Sequence, residues 1–162
     1  MTGRMSSRVI EVVPPRGRIG AVNHKGLSMI DHHAALIYTM VLVSASDADM
    51  TDAELSTISE TVRYLPVFRD FDTGHLTGIA GDCTRLLGKA DGLDTALEEI
   101  KEALPKKLRE TAYAVACDVA AADGYTTQEE LRLLELLREV LKIDRLNAAA
   151  IERGARARHM TL

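Results

Sequence analysis

Two short stretches carry carboxylates at a repeated spacing. "DADMTDAEL" spans residues 47–55, and "AADGYTTQEEL" spans residues 121–131. Each follows an apolar run, "AALIYTMVLVSAS" in the first case and "YAVACDVAA" in the second. A helix C-terminus carries partial negative charge, so an aspartate there is disfavoured unless something compensates it. Two compensations are open. The aspartate can close a turn with its own downstream backbone, with Gly124 supplying a left-handed residue after Asp123. Alternatively, Asp47, Asp49 and Glu54 converge on a hard cation, with Asp123 and Glu130 as a second group. Such oxygen ligands suit Ca²⁺ or Mg²⁺. The spacing is not that of an EF-hand loop, which needs ligands at positions 1, 3 and 5, a glycine at 6 and a glutamate at 12. The first joint offers Asp47, Asp49, Asp52 and Glu54, and the second Asp123, Glu129 and Glu130. Any binding is therefore expected to be weak and stronger at the first joint.

Other chemistry is sparse. His32 and His33 are adjacent, and neighbours on a helix do not face the same way. They read as a surface feature at a helix start. Cys83 and Cys117 form no CxxC pair and read as small core hydrophobes. There is no phosphate loop, GxSxG or HExxH. No nucleophile–base or acid–base pair stands at useful spacing, so no catalytic residue is expected and the chain reads as a non-enzyme.

The elements that must position the acids are helices. Pro14, Pro15 and Gly17 exclude a helix from the arm. A first helix, apolar nearly all round, starts between Leu27 and Asp31 and ends near Ser46. A second runs from Asp52 to Tyr64, with Leu55, Ile58, Val62 and Leu65 on one face. A third is capped by Asp72 or Thr73 and stops at Asp91-Gly92; Gly78 and Gly81 within it suggest close helix contact. "LDTALEEIKEAL" is a short fourth. Pro105 opens a fifth that ends near Ala122, with Leu108, Ala112, Val115 and Val119 in line; Asp118 stands on its exposed flank or is paired. The sixth runs from Gln128 to Leu141 with Leu131, Leu134, Leu137 and Leu141 inward. The seventh starts at Asp144 and fades into "RGARARHM". No segment outside the arm alternates as a strand does. The expected fold is all-α, with about seven helices.

The two acidic joints belong to a repeat. At an offset of 76, Asp47 falls on Asp123, Thr51 on Thr127, Glu54 on Glu130, Ile58 on Leu134 and Leu65 on Leu141. Upstream, Val43 falls on Val119 and Ala45 on Ala121. No gap is needed. Both copies read as a helix–turn–helix hairpin, so the expected domain packs two pseudo-repeated hairpins together. Thr51-x-x-Glu54 and Thr127-x-x-Glu130 are capping boxes, in which hydroxyl and carboxylate satisfy free backbone N–H groups reciprocally.

Composition bounds the rest. A chain of 162 residues with a hydrophobic fraction of 46% is long enough to bury one core. Aromatics are only 4% and Trp is absent, so that core is aliphatic. The net charge is −4, but residues 1–23 carry +3, from Arg4, Arg8, Arg16 and Arg18 against Glu11. The body is therefore −7. Residues 1–23 read as a basic, partly disordered arm and residues 24–162 as one helical domain. The acidic balance argues against a nucleic-acid partner. No secretory signal is visible, and free thiols suit a reducing cytoplasm. The apolar run at 34–45 is too short to span a bilayer.

With both joints in view, the chain resembles the TerB-like family of tellurite-resistance proteins, whose mark is an "AADG…[ST]xxE" turn between two helices. "VAAADGYTTQEEL" matches closely. "VSASDADMTDAEL" matches with Ala48 where the family usually has Gly. The resemblance covers about residues 27–145. It implies an all-helical single domain of two related halves with no established catalytic activity. It also implies a context of tellurite and other chemical stress. Protein partners would include a membrane protein of a Ter-like system, which would place the chain in the cytoplasm and peripherally at the inner membrane. Acidic patches in the family suggest divalent-metal binding.

Overall fold

The computed structural model describes residues 21–22, 28–45, 52–122 and 124–162. The arm at 1–23 falls almost wholly outside these residues. Its end, Ala21–Val22 (β1), pairs antiparallel with Ser28–Met29 (β2) in a ladder two residues long. Among the described residues this is the only sheet. All other regular structure among the described residues is helical, as the periodicity predicts.

Helix α1, His32–Ser44, is the centre of the molecule. Asp31 caps it by accepting from the Ala34 N–H at 2.8 Å. Every residue from Ala34 to Ser44 is buried, which is what a helix apolar on all sides requires. Thr39 tolerates this because its hydroxyl donates to the Ala35 carbonyl at 2.8 Å. Helices α3 (Leu76–Leu87), α4 (Gly92–Ala103) and α5 (Arg109–Ala121) close around α1.

Helix α2, Asp52–Tyr64, buries Ile58 and Val62 and half-buries Leu55, and Leu65 just past its end is half-buried too, so its predicted face is the inner one. A 3-10 turn at Pro66–Phe68 follows. His33 belongs to this corner and is not a surface feature. Its Nε2 lies 2.8 Å from the Val67 carbonyl, and its ring lies 5.5 Å from Phe68 and 5.3 Å from Phe71. Aromatic burial and one hydrogen bond explain the side chain without chelation. Its neighbour His32 is held below the ordinary imidazole range, first by burial and then by His33.

Helix α3 is Leu76–Leu87, preceded by a 3-10 turn at Thr73–His75 that Asp72 caps through the Gly74 N–H. It stops at Gly88, short of the expected Asp91-Gly92. Helix α4, Gly92–Ala103, buries Ala96, Leu97 and Ile100. The glycines at 78 and 81 do not serve close contact, because a Cβ at either would meet nothing within 4 Å. Gly92 does: a Cβ there would lie 2.0 Å from the Leu86 carbonyl oxygen. The tight return from α3 to α4 therefore requires a residue with no side chain.

Pro105 opens a 3-10 turn, Lys106–Leu108, and α5 follows over Arg109–Ala121. Its buried line is Ala112, Val115 and Val119, joined by Tyr113, Ala116 and Cys117. Helix α6 spans Gln128–Leu141 and buries Leu134, Leu137 and Leu141. Leu131 departs from the expectation: it is 44% exposed, at the edge of the helix's inner face. Lys142 ends α6 in the left-handed region at φ 55°, and the Ile143 N–H returns to the Arg138 carbonyl. Asp144 then caps α7, Arg145–Arg158, by accepting from Leu146 and Asn147. Far from fading, α7 continues through the arginine-rich tail. Its Ala148 and Ala155 are buried.

Candidate functional site

The two hairpins keep the register of the repeat. Helix α2 begins at Asp52 and α6 at Gln128, the same offset of 76 that aligns the sequences. Each joint thus lies between an apolar helix, α1 or α5, and an amphipathic one, α2 or α6. Helices α1 and α5 are both buried in one core.

The predicted ligands divide unequally. Asp47, Asp49 and Asp123 lie outside the described residues, as does the cap Thr51. Glu54 lies on α2, in the first turn after Asp52, but its side chain is also outside them. Glu130 is fully described. Its Oε2 accepts from the Thr127 N–H at 2.6 Å and from the Thr127 hydroxyl at 3.0 Å. The Glu130 N–H donates in turn to the Thr127 hydroxyl at 3.2 Å. The predicted capping box is present and complete. One carboxylate oxygen of Glu130 is thereby committed to the helix start, leaving Oε1 as the atom a cation would meet. Gly124 has φ 74°, as the turn-closing reading requires, and its N–H donates to the Ala121 carbonyl at 3.0 Å. Thr126 adds a hydroxyl bond to the Ala120 carbonyl at 3.2 Å. Among the described residues no group of three or more His, Cys, Asp or Glu converges as a metal site would.

Behind the second joint the structure brings together residues that spacing alone did not connect. Three polar contacts tie α5 to α7. Asn147 Nδ2 donates to Glu110 Oε1 at 2.7 Å, Tyr113 Oη donates to Glu152 Oε1 at 2.7 Å, and Arg158 Nη2 donates to Asp118 Oδ1 at 2.7 Å. They advance together along both helices, so α5 and α7 run in the same direction. Asp118 is therefore paired, with His159 Nε2 also 3.5 Å from its Oδ1. The only sequence signal for this clasp is a polar residue at intervals on an otherwise alanine-rich helix, and it names no partner.

Helices α5, α6 and α7 enclose an open groove of about 290 Å³. Its floor includes Cys117, whose thiol burial pushes up to about 12. Cys83, buried under α1 with its thiol directed at the Tyr38 carbonyl, is likewise pushed up to about 12 by burial. Protonated, enclosed thiols are poor nucleophiles, and both cysteines are core residues as the sequence suggested. Tyr113 is raised well above the ordinary phenol range, by burial first and then by its bond to Glu152.

Among the described residues no helix is long and apolar enough to cross a membrane. No curated protein and no solved structure matches the chain. A family model does, under the description Tellurite resistance protein TerB, over residues 33–153. That span runs from the first turn of α1 into α7 and includes both acidic joints, so the chain belongs to the TerB family of tellurite-resistance proteins.

Proposed function

We propose that this chain is a non-enzymatic, stress-associated helical module acting in a tellurite or other chemical-stress context. In this reading it binds a divalent cation, Ca²⁺ or Mg²⁺, at its acidic inter-helix joints and presents a helical surface to protein partners. The observation that carries it is the family match over both joints, on a chain that repeats Asp-x₃-Thr-x₂-Glu without a gap. Asp47, Asp49 and Glu54 would hold the ion at the first joint, and Asp123 with Glu130 at the second. Oxygen-only donors of this kind suit a hard cation. Glu130 can contribute only through Oε1 while its capping bonds persist. The first joint offers four carboxylates, Asp47, Asp49, Asp52 and Glu54, against Asp123, Glu129 and Glu130 at the second, which favours the first as the tighter site. The partners expected include a membrane protein of a Ter-like system, with the chain cytoplasmic and peripheral at the inner membrane.

Calorimetric titration of the full chain with Ca²⁺, Mg²⁺ and Mn²⁺ tests the reading. Heat that saturates and disappears in Asp47→Asn supports it. Silence with all three ions at about millimolar concentration, a range typical of weak extracellular calcium modules, removes the metal.

A second reading is favoured by one observation. The Thr127–Glu130 box and the left-handed Gly124 give the second joint a cap and a turn that need no cation. In that case the chain is a structural interaction adaptor, and the repeated acids only close turns.

A further inference from the structure

Helix α7 carries a charge opposite to that of the body it lies on. Residues 145–162 hold four arginines against one acid, Glu152, a net of +3. Residues 1–23 are also +3 and the whole chain is −4, so residues 24–144 are −10. The one acid of the helix is withdrawn from its outer side. Glu152 is half-buried, accepts from the Tyr113 hydroxyl at 2.7 Å and lines the groove.

The outer side follows from the helical period. Ala148 and Ala155 are buried, two turns apart, and set the inner line against α5. On the opposite line stand Leu146, Ala150, Arg153 and Ala157, all exposed. Arg145, Ala149 and Arg156, also exposed, lie along one margin of that line. None of these positions holds a carboxylate. Leu146 is 80% exposed near the start of the helix, and Met160 is 75% exposed just beyond its end. A long apolar side chain thus projects at each end of a basic, otherwise alanine-lined face. A helix that lies in a membrane interface is built this way, with its cations at the headgroups and its apolar side chains at the acyl boundary.

Other occupants match the face less well. A second copy seated symmetrically would set the arginines of one α7 against those of the other. Arg145 and Arg156 are about 16 Å apart along the helix axis, which exceeds the reach of one small anion but suits an array of phosphates. We propose that the outer face of α7 docks on an anionic lipid surface. Arg145, Arg153 and Arg156 meet the phosphate headgroups, and Leu146 and Met160 insert beneath them. The guanidinium fork matches phosphate in geometry as well as charge. The same surface repels the acidic body, so the molecule settles with α7 toward the lipid. The contact goes beyond the function proposed above, because it requires neither a bound cation nor a protein partner.

Sedimentation of the full chain with vesicles, in EDTA and with no other protein present, tests it. Vesicles of phosphatidylglycerol and phosphatidylcholine in equal parts should carry the protein down, and vesicles of phosphatidylcholine alone should not. Raising NaCl from about 0.1 M to about 1 M, which shortens the screening length from about 10 Å to about 3 Å, should release it. Arg145→Gln and Arg153→Gln should each weaken binding by about fivefold. Leu146→Gln should weaken it by about tenfold. All three side chains are exposed, so circular dichroism should be unchanged in each variant. Equal binding to both kinds of vesicle, or binding to neither, would overturn the proposal. So would binding that is lost only when Arg4, Arg8, Arg16 and Arg18 are replaced by Gln, which would assign the attraction to the N-terminal arm. Vesicle binding indifferent to Leu146→Gln, with equal retention on immobilised polyglutamate, would assign the face to an acidic protein instead.

Discussion

A single hydrogen atom decides how α3 turns into α4. At Gly92 any Cβ would overlap the Leu86 carbonyl, whereas at Gly78 and Gly81 a Cβ meets nothing. The three glycines therefore have opposite expected responses to the same substitution. Gly92→Ala should destabilise the protein by about 1–3 kcal/mol, the usual range for overpacking. Gly78→Ala and Gly81→Ala should each stabilise it, by about 0.5–1 kcal/mol, because they lie inside a helix where glycine costs backbone entropy. Urea denaturation of the three variants checks this. Loss of stability at all three would mean that α3 is packed more tightly than its surroundings indicate. The same scale holds the Asp118–Arg158 pair. Its two side chains are 30% and 56% exposed, which places it among surface ion pairs of small individual value.

At the scale of the element, α6 shows how local and tertiary terms divide the work of holding a helix. Its start is secured by the Thr127–Glu130 box and its end by the left-handed Lys142. Its middle is secured only by what it touches, and Leu134 is 8% exposed. Thr127→Ala should cost about 0.5–2 kcal/mol through the lost cap. Leu134→Ala should cost more, about 2–5 kcal/mol, through lost burial and the cavity left behind. Denaturant midpoints in the reverse order would mean that α6 is held mainly by its ends. The contrast matters for function, since α6 forms both one arm of the second acidic joint and one wall of the groove.

For the molecule as a whole, the strongest common feature of its ionisable interior is that burial opposes charge. Cys83 and Cys117 are both pushed up to about 12 from an ordinary thiol value of 9.0. Tyr38 and Tyr113 are raised from 10.0 for the same first cause. The sign follows from proton counting. Between the unfolded and folded values the native state holds protons that the unfolded state has released, so stability falls as pH rises. The decline should begin near pH 9 and steepen above 10 as the tyrosines join. Thermal melts from pH 7 to 11 measure it, and the double variant Cys83→Ala, Cys117→Ala should flatten the limb between 9 and 10. A flat profile in the parent protein would show that these groups titrate freely in the folded state. Below neutrality the sign reverses for His32. Its folded value is lowered, so protonation near its ordinary value of 6.5 favours unfolding and stability falls as pH drops.

The helices, their order and most of their inner faces were already determined by the sequence. The evidence for them is local: apolar residues at intervals of three and four, and caps that bind backbone within three residues of themselves. Thr127 caps its helix as expected and Asp72 is the cap where Asp72 or Thr73 was expected, while Asp31 and Asp144 cap helices that were expected to start at or near them. The family was legible for a related reason, because the doubled acidic joint is a short motif at a constant offset. What joins residues far apart in the chain was decided only in the tertiary structure. Tyr113 and Glu152 are 39 positions apart, Asp118 and Arg158 are 40, and His33 and Val67 are 34. A residue's type limits what it can bond to, but a partner that distant leaves no periodic trace. The groove exists only because α7 stays helical to Arg158 and runs beside α5. In the linear chain Arg138 is one charge on the sixth helix and Arg156 one in the tail, and the packing of three helices places both along one groove.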